Sequence, residues 1–484
     1  MMEESVKDKY DVIIGLEVHA QLLTQSKIFN SDSTTFGNQP NVNISEITFA
    51  HPGTLPVLNK KAVEYAIKMG LACQSVISRE MIFDRKNYFY PDSPKGYQIT
   101  QDRTPVCVGG QIVITKQSGE KRTIKLNRIH LEEDAGKSIH LEGEEDSLID
   151  FNRSGVPLIE IVTEPVIHSS EEAQAFLAEI RRLVRYLEIC DGNMEEGSLR
   201  CDANISIMPK GASEYGKKVE VKNMNSIKNV GRAIDFEIQR QIELAEKGLA
   251  IDSETRDFNA ETGITTGMRT KEELNDYRYF PDPDLSPVHV SDRWLAEIQT
   301  QMPALPWELL DKFIVEYSLP DYDANVLIEN KNTAEYFQEV CTYTTNFKAV
   351  SNWLMGPIKS YLNENGLEIT DLNLSAKRLA DLISLVDSNK VSFSIASQRL
   401  LPALLNTEKP VIQVAEELNL IQESDAGVLE QLINDVLNEH PDKVKAYKNG
   451  KKGLLGMFVG EVMKRSRGKA DPKVTNELLI NKLS

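Results

Sequence analysis

Tyr10-Asp-Val-Ile-Ile-Gly-Leu-Glu-Val-His19 decides how the first half of this chain is read. Side chains in a β-strand alternate between its two faces. Val12, Ile14, Leu16 and Val18 therefore share one face, and Ile13, Gly15, Glu17 and His19 share the other. The first is a core face. The second sets a carboxylate and an imidazole two residues apart, with open space beside them at Gly15. Such a pair could form half of a hard-cation site. An exposed strand face carrying two polar residues gives the same pattern.

The device recurs further along. In Arg122 to Ala135, Ile129 and Leu131 alternate with His130, Glu132 and Asp134. In Leu199 to Ile207, the apolar residues alternate with Arg200, Asp202, Asn204 and Ser206, and Val219 and Val221 alternate with Glu220 and Lys222. The turn Asn193-Met-Glu-Glu-Gly-Ser198 adds Glu195 and Glu196. Several acid-bearing faces beside Lys, Arg or His could converge on one polar cavity. Phosphoryl transfer needs that set: carboxylates hold a divalent ion, and cations such as Arg153, Arg200 and Lys222 neutralise the moving phosphoryl group. No GxxxxGK[ST] loop and no GxSxG elbow is present, so an ATP site would be of another type. The competing reading is a set of surface ion pairs, each worth ~0–1 kcal/mol.

The chain has 484 residues and a net charge of −18. An acidic protein repels nucleic acid over much of its surface, so any contact with RNA needs a local basic patch. Lys443 to Ser484 carries eleven Lys and Arg against three acids, after a stretch from Pro410 to Asp442 with eight acids and no Lys or Arg. Five scattered cysteines form no CxxC pair, which argues against a disulfide framework or a tetrahedral zinc site and for a reduced, cytoplasmic setting. No apolar run has membrane-spanning length, and the charged N-terminus is unlike a secretory signal.

Short strands dominate up to about residue 290, and helical periodicity follows. The prolines of Tyr279-Phe-Pro-Asp-Pro-Asp-Leu-Ser-Pro287 close the first region, and a second break falls near Thr407-Glu-Lys-Pro410. The class expected is α+β, with domains at 1-292, 293-408 and 409-484. Two helices interrupt the strand-rich region. One runs from Glu171 to Cys190 behind a capping box of Ser169 and Glu172, and the other from Ile227 to Lys247, stopped at Gly248. Their apolar stripes read as core faces. Phe83 to Gln98 is dense in aromatic and basic residues, which suits a nucleotide or a single-stranded end, or a rigid loop packed by its own tyrosines.

These segments together resemble the GatB family, the B subunits of aspartyl/glutamyl-tRNA amidotransferases. The resemblance is carried by Ile14 to Leu22, His51 to Asn59, Phe83 to Gln98, Ile129 to Ser138, Pro157 to Pro165, Met194 to Asn204, Glu220 to Ser226, Asp276 to Asp284, Asn352 to Gly356 and Gly453 to Ala470. It covers essentially the whole chain. It implies an N-terminal strand-rich cradle with an antiparallel sheet and packed helices, an all-α helical domain, and a small all-α tail. The implied activity is ATP-dependent phosphorylation of the side-chain carboxylate of Glu-tRNA(Gln) or Asp-tRNA(Asn). Amidation follows by ammonia channelled from the glutaminase (the A subunit), with the C subunit completing the assembly.

Carried over by motif, the resemblance implies a magnesium site at Glu17 and His19 with Glu132 or Glu133, and a pairing of Lys86 with one of those glutamates. Glu195, Glu196, Arg200, Asp202 and Lys222 become candidate nucleotide, phosphate or substrate contacts, and Arg153, Ser154 and Asn223 candidate ATP contacts. Lys448, Lys451, Lys452, Lys464 and Arg465 are the candidate tRNA contacts. Some family members bind zinc through cysteines where this chain has Asn30, Asp32, Ser45 and Thr48, so zinc is not expected here. A tRNA-binding scaffold whose chemistry lies on its partners is the competing hypothesis. The acidic strand faces favour the enzyme, since a scaffold has no use for them. A glutamine hydrolase would need a nucleophile motif that this sequence lacks.

Overall fold

The alternation at Tyr10–His19 is realised as β1 (Tyr10–Gln21). Ile14, Leu16 and Val18 are fully buried, while Gly15, Glu17 and His19 remain half-buried on the opposite face. The structure is a computed structural model that describes residues 6, 8–141, 143, 146–270, 277–421, 426–466, 470 and 472–483. Asp276 and residues 467–469, which fall within two of the family motifs, lie outside the described residues.

β1 is a central strand of a ten-stranded sheet among the described residues. The other strands that build the site are β2 (Asp84–Asn87), β3 (Tyr97–Thr100), β4 (Lys121–Glu133), β5 (Pro157–Thr163), β6 (Leu199–Pro209), β7 (Val219–Lys222), β8 (Glu254–Asn259), β9 (Ile264–Thr270) and β10 (Arg278–Pro281). The large sheet runs β9-β8-β7-β6-β1-β5-β4, continued by two two-residue strands, Cys107–Val108 and Val76–Ile77. β2, β3 and β10 form a separate three-stranded sheet. The pairing is antiparallel except between β7 and β8, which are parallel, so the sheet is mixed. The connection from β7 to β8 passes through a long helix, and a crossover of that length permits parallel pairing.

Register carries rows of side chains across one face of the sheet. His130, Glu160, His19 and Arg200 are successive partners from β4 through β5 and β1 to β6. The next row aligns Val162, Glu17 and Asp202, and the row after it Gly15, Asn204 and Glu220. Residues far apart in sequence are thereby set side by side.

With α1 (Lys60–Ala72) nearer the sheet edge, the central strands are covered on the other face by α2 (Ser170–Tyr186) and α3 (Ile227–Glu246), which also pack on each other. Ser169 caps α2 by accepting from Glu172 N at 3.2 Å. This helix ends short of Cys190 because Glu188 adopts a left-handed φ of 55°. The buried side of α3 is not purely apolar. Glu237, fully buried, accepts from Arg240 at 2.7 and 2.9 Å and lies 3.6 Å from Arg256.

The chain divides into two compact units at Leu305/Pro306. The helix α4 (Asp292–Thr300) belongs to the first unit because Trp294 anchors it there. Its indole Nε1 donates to Glu64 at 3.2 Å, and Lys60 Nζ lies 4.8 Å from its ring centroid. The second unit is helical throughout its described residues. Its last four helices, α5 (Ala426–Glu439), α6 (Pro441–Lys448), α7 (Leu454–Arg465) and α8 (Pro472–Leu483), enclose a core of their own around Ile433, Phe458, Val462 and Leu479. All five cysteines are free thiols.

Candidate active site

The polar face of the sheet, closed over by β3 and by Tyr277 and Tyr279, lines a cavity of about 530 Å³. Glu17, Asp102, Glu132, Asp134, Glu160, Asp202 and Glu220 line it with Lys86, Arg128, Arg200, Lys222, His19 and His130. Carboxylates outnumber Lys and Arg, so an anionic substrate would meet net repulsion unless cations entered with it.

Two clusters have metal-binding geometry. His19, Glu132 and Glu160 present ligand atoms all within 4.8 Å of one another, and so do Glu17, Asp202 and Glu220. Strand alternation alone joins Glu17 and His19 into one half-site, but register separates them. His19 is drawn toward β5 and β4, and Glu17 toward β6 and β7.

In the first cluster, His19 Nε2 lies 3.4 Å from Glu132 and 3.6 Å from Glu160, and His130 Nε2 lies 3.1 Å from Glu160 and 3.7 Å from Glu132. Burial opposes charge on His130, yet its bonds to Glu132 and Glu160 prevail and lift its pKa to about 9. His19 is raised by the same contest between burial and these carboxylates. Burial pushes Glu132 up, but hydrogen bonds from both imidazoles hold it well below the usual carboxylate range. Protons on the histidines thus stand where a cation would neutralise the acids.

The second cluster has no imidazole. Burial raises the Glu17 carboxyl, and the charges of Glu160, Glu220 and Asp202 raise it further. Lys222 bonds Asp202 at 2.6 Å and Glu220 at 3.0 Å, and despite burial these acids keep it firmly protonated. Glu17 itself accepts only an amide, from Asn204 Nδ2 at 2.8 Å, among the bonds described. A carboxylate held against other carboxylates fits a divalent oxygen-ligated cation such as magnesium.

Alternation also separates Glu132 from Glu133. Glu133 leaves the cavity, pairs with Lys95 and accepts from Ile99 N at 2.8 Å. Together with Ser154 it lines a smaller cavity of about 120 Å³. Lys86 enters the main cavity, where Glu132 and Glu160 outweigh burial and raise its pKa. Its Nζ lies 4.8 Å from the Tyr277 ring centroid, and it forms no ion pair within 4.0 Å among the described residues. In the same aromatic–basic stretch, Arg85 is structural, bonding Asp282 at 2.7 Å and Asp284 at 2.8 Å.

Arg200 bonds Asp134 at 3.1 Å and completes the row with His19. Four other residues marked in the sequence do not line the main cavity. Arg153 braces the following turn through Ala135 O at 3.0 Å and Gly136 O at 2.6 Å. Asn223 is exposed and bonded to Asp257. Glu195 lines a different cavity with Arg181, Arg185 and Lys228, and Glu196 beside it is exposed. Glu160 is a site residue that the strand-by-strand reading missed. Its signal was a single acid inside the apolar run Pro157-Leu-Ile-Glu-Ile-Val.

The four positions considered for zinc are tied to one another. Asp32 accepts from Ser45 Oγ at 2.9 Å and Thr48 Oγ1 at 2.5 Å, and Asn30 Nδ2 donates to Thr48 at 3.1 Å. One carboxylate, one amide and two hydroxyls do not make a zinc donor set. Beside them burial lowers the Lys27 pKa to about 8. Removing the shared acceptor strands two hydroxyls, so Asp32→Ala should cost roughly 2–4 kcal/mol, read as a fall in thermal stability.

In the second unit Lys448, Lys451 and Lys452 are exposed around the turn between α6 and α7, and Lys464 is exposed on α7. Lys452 Nζ lies 4.3 Å from the Tyr447 ring centroid. Arg465 differs from them, being bonded to Glu439 at 2.9 Å and Glu461 at 3.5 Å. Among the described residues no helix is long and apolar enough to cross a membrane.

Fold and face together define the class: a strand-built cradle that presents acids and bases to one cavity, followed by a helical unit. Residues 12–296 match the family model described as the GatB/GatE catalytic domain, and residues 335–483 match the GatB domain. The chain is 49% identical over 478 residues to the B subunit of the aspartyl/glutamyl-tRNA(Asn/Gln) amidotransferase of Caldicellulosiruptor bescii, covering 98% of this chain and 99% of that one. It is 48% identical over 472 residues to the B subunit of the same name from Thermodesulfovibrio yellowstonii, covering 98% and 99%. This chain belongs to the GatB family of tRNA amidotransferase B subunits.

Proposed function

We propose that the sheet-face cavity is where a misacylated tRNA is activated and amidated. As the B subunit of a glutamine-dependent tRNA amidotransferase, the chain would take Glu-tRNA(Gln) or Asp-tRNA(Asn), ATP and ammonia. It would work in the cytoplasm with the glutaminase, which is the A subunit, and with the C subunit. The observation that carries this reading is the pair of acid clusters on adjacent rows of one face, within a cavity that also holds Lys86, Arg200 and Lys222.

The reaction takes two steps. A side-chain carboxylate oxygen of the aminoacyl group attacks the γ-phosphorus of ATP, forming an acyl phosphate and releasing ADP. Ammonia then attacks the acyl carbon, phosphate leaves, and a proton is lost to give the amide. A carboxylate is a poor acyl donor, and phosphate supplies the leaving group that it lacks. Bound magnesium would be held by His19, Glu132 and Glu160 and by Glu17, Asp202 and Glu220, and it supplies positive charge to phosphoryl oxygens. Lys222, Lys86 and Arg200 would orient and neutralise the remaining oxygens.

The test is tRNA-dependent ADP release by the reconstituted complex with Glu-tRNA(Gln) and with Asp-tRNA(Asn). His19→Ala with the fold intact should suppress it. Unchanged release would leave the chain a scaffold with its chemistry elsewhere.

Tail contacts with tRNA phosphates should show in the salt dependence of binding. Lys451→Ala should reduce the slope of log affinity against log salt by roughly one unit. Arg465→Ala should not, because that guanidinium is already neutralised by Glu439 and Glu461.

A further inference from the structure

Where α2 ends and α3 begins, Arg181, Arg185 and Lys228 line a groove of about 610 Å³. It shares no lining residue with the reaction cavity. Its other walls are the loop Asp191 to Glu195, which leads into β6, and the segment Asn225 to Ile227, which follows β7.

Among the described residues none of these three cations forms an ion pair within 4.0 Å. Arg181 alone makes a side-chain bond, from Nε to Gly192 O at 2.9 Å. Other arginines of this unit are neutralised: Arg122 pairs with Glu172, Arg182 with Glu179 and Arg240 with Glu237. Arg181 and Arg185 stand four residues apart on one face of α2, where like charges repel. A chain of net charge −18 that gives this pair no carboxylate leaves it to an anion from outside.

Two acids also line the groove, Asp191 and Glu195. Asp191 is spent within its own loop, accepting from Asn193 N at 2.8 Å and Ser198 Oγ at 3.2 Å. The balance stays positive, the reverse of the reaction cavity.

Packing presents the arginines. Gly192 has a left-handed φ of 70°, and a Cβ there would meet Arg181 Cγ at 2.9 Å and Arg185 Cδ at 3.5 Å. The bare glycine lets the loop run against both stems while the residues stay exposed. Two amides add donors. Asn193 Oδ1 accepts from Glu195 N at 3.0 Å, and Asn225 Oδ1 accepts from Asn229 Nδ2 at 2.7 Å, which leaves each Nδ2 to donate. Guanidinium forks match the paired oxygens of phosphate. The groove is far larger than one phosphate and draws cations from two helices, so it suits phosphates in succession.

We propose that this groove binds successive phosphate groups of a polyanion. The inference goes beyond the reaction proposed above and does not depend on it. Two sources carry such groups: the backbone of a bound RNA, and a free polyphosphate.

The test uses the assembled complex carrying both Arg181→Gln and Arg185→Gln, which keep long side chains and remove both charges. Filter binding of an unacylated tRNA transcript over a salt series, and equilibrium dialysis with tripolyphosphate in magnesium-free buffer, separate the sources. A fall of roughly two units in the slope of log affinity against log salt, with tripolyphosphate binding and melting temperature retained, assigns the groove to an RNA backbone. A tenfold or greater loss of tripolyphosphate binding with the slope unchanged assigns it to a free polyphosphate. Losses in both mark one site open to either.

Lys228→Gln, on the other wall, should remove roughly one unit of slope or weaken tripolyphosphate several-fold, and serves if the double variant does not fold. Lys210→Gln, exposed just past the far end of β6, should change neither. Unchanged slope and unchanged tripolyphosphate binding in the groove variants overturn the site. An equal loss in Lys210→Gln does so too, since it marks a general charge effect, and so does failure of the wild type to bind either probe.

Discussion

Glu132→Gln should lower tRNA-dependent ADP release by at least about 10²–10³-fold, the scale for losing one preorganised electrostatic group at a reacting centre. Glu133→Gln, one residue along, should cost far less. Glu132 is buried on the cavity face and bonded to both His19 and His130. An amide there would leave two imidazoles, the buried His130 and the half-buried His19, with half their counter-charge and remove a carboxylate from the His19, Glu132 and Glu160 cluster. The His130 pKa, held near 9 chiefly by Glu132 and Glu160 against burial, should then fall. Imidazole titration followed by NMR reports this independently of turnover. Glu133 faces the opposite way and pairs with Lys95, so its loss should be felt mainly as local destabilisation. Equal losses of activity from the two substitutions would contradict the assignment.

Strand alternation made most of this face legible in the sequence. It separated Glu17, His19, His130, Glu132, Arg200, Asp202 and Lys222 from the core residues between them, and all seven line the cavity. The same rule, applied to the adjacent pair Glu132 and Glu133, selects between them once the face is known. Register was not legible, because it depends on pairings between strands more than a hundred residues apart. Hence Glu17 and His19 read as one shell, although their neighbours on β6 and β5 draw them into two. Glu160 was hidden for a related reason, since a lone acid in an apolar run shows no alternation until its partner His19 is known. The loop candidates Glu195, Asn223 and Arg153 had no periodicity to place them, and none lines the cavity, although Arg153 lies 3.7 Å from Asp134, which does. The first helix beyond the proline break stays with the strand-rich unit because Trp294 packs back on α1.

Glu17→Gln should act in opposite directions on stability and activity. Burial and the charges of Glu160, Glu220 and Asp202 raise the Glu17 pKa in the folded chain. The unfolded chain lacks these neighbours, so above the folded pKa the ionised carboxylate opposes folding. That penalty is relieved as pH falls through the raised value. Glutamine removes it at neutral pH and can still accept from Asn204 Nδ2. The cation-free variant should therefore melt higher than the wild type near pH 7, and the gap should close on acidification. Activity should move the other way, by about 10²–10³-fold, since a carboxylate is lost from the Glu17, Asp202 and Glu220 cluster. Magnesium gives a third readout: it should raise the melting temperature of the wild type by binding the folded state, and raise that of the variant less. A variant that is both less stable and less active would point to a purely structural glutamate. The opposite signs mark a group whose folding cost is offset only when a cation sits beside it.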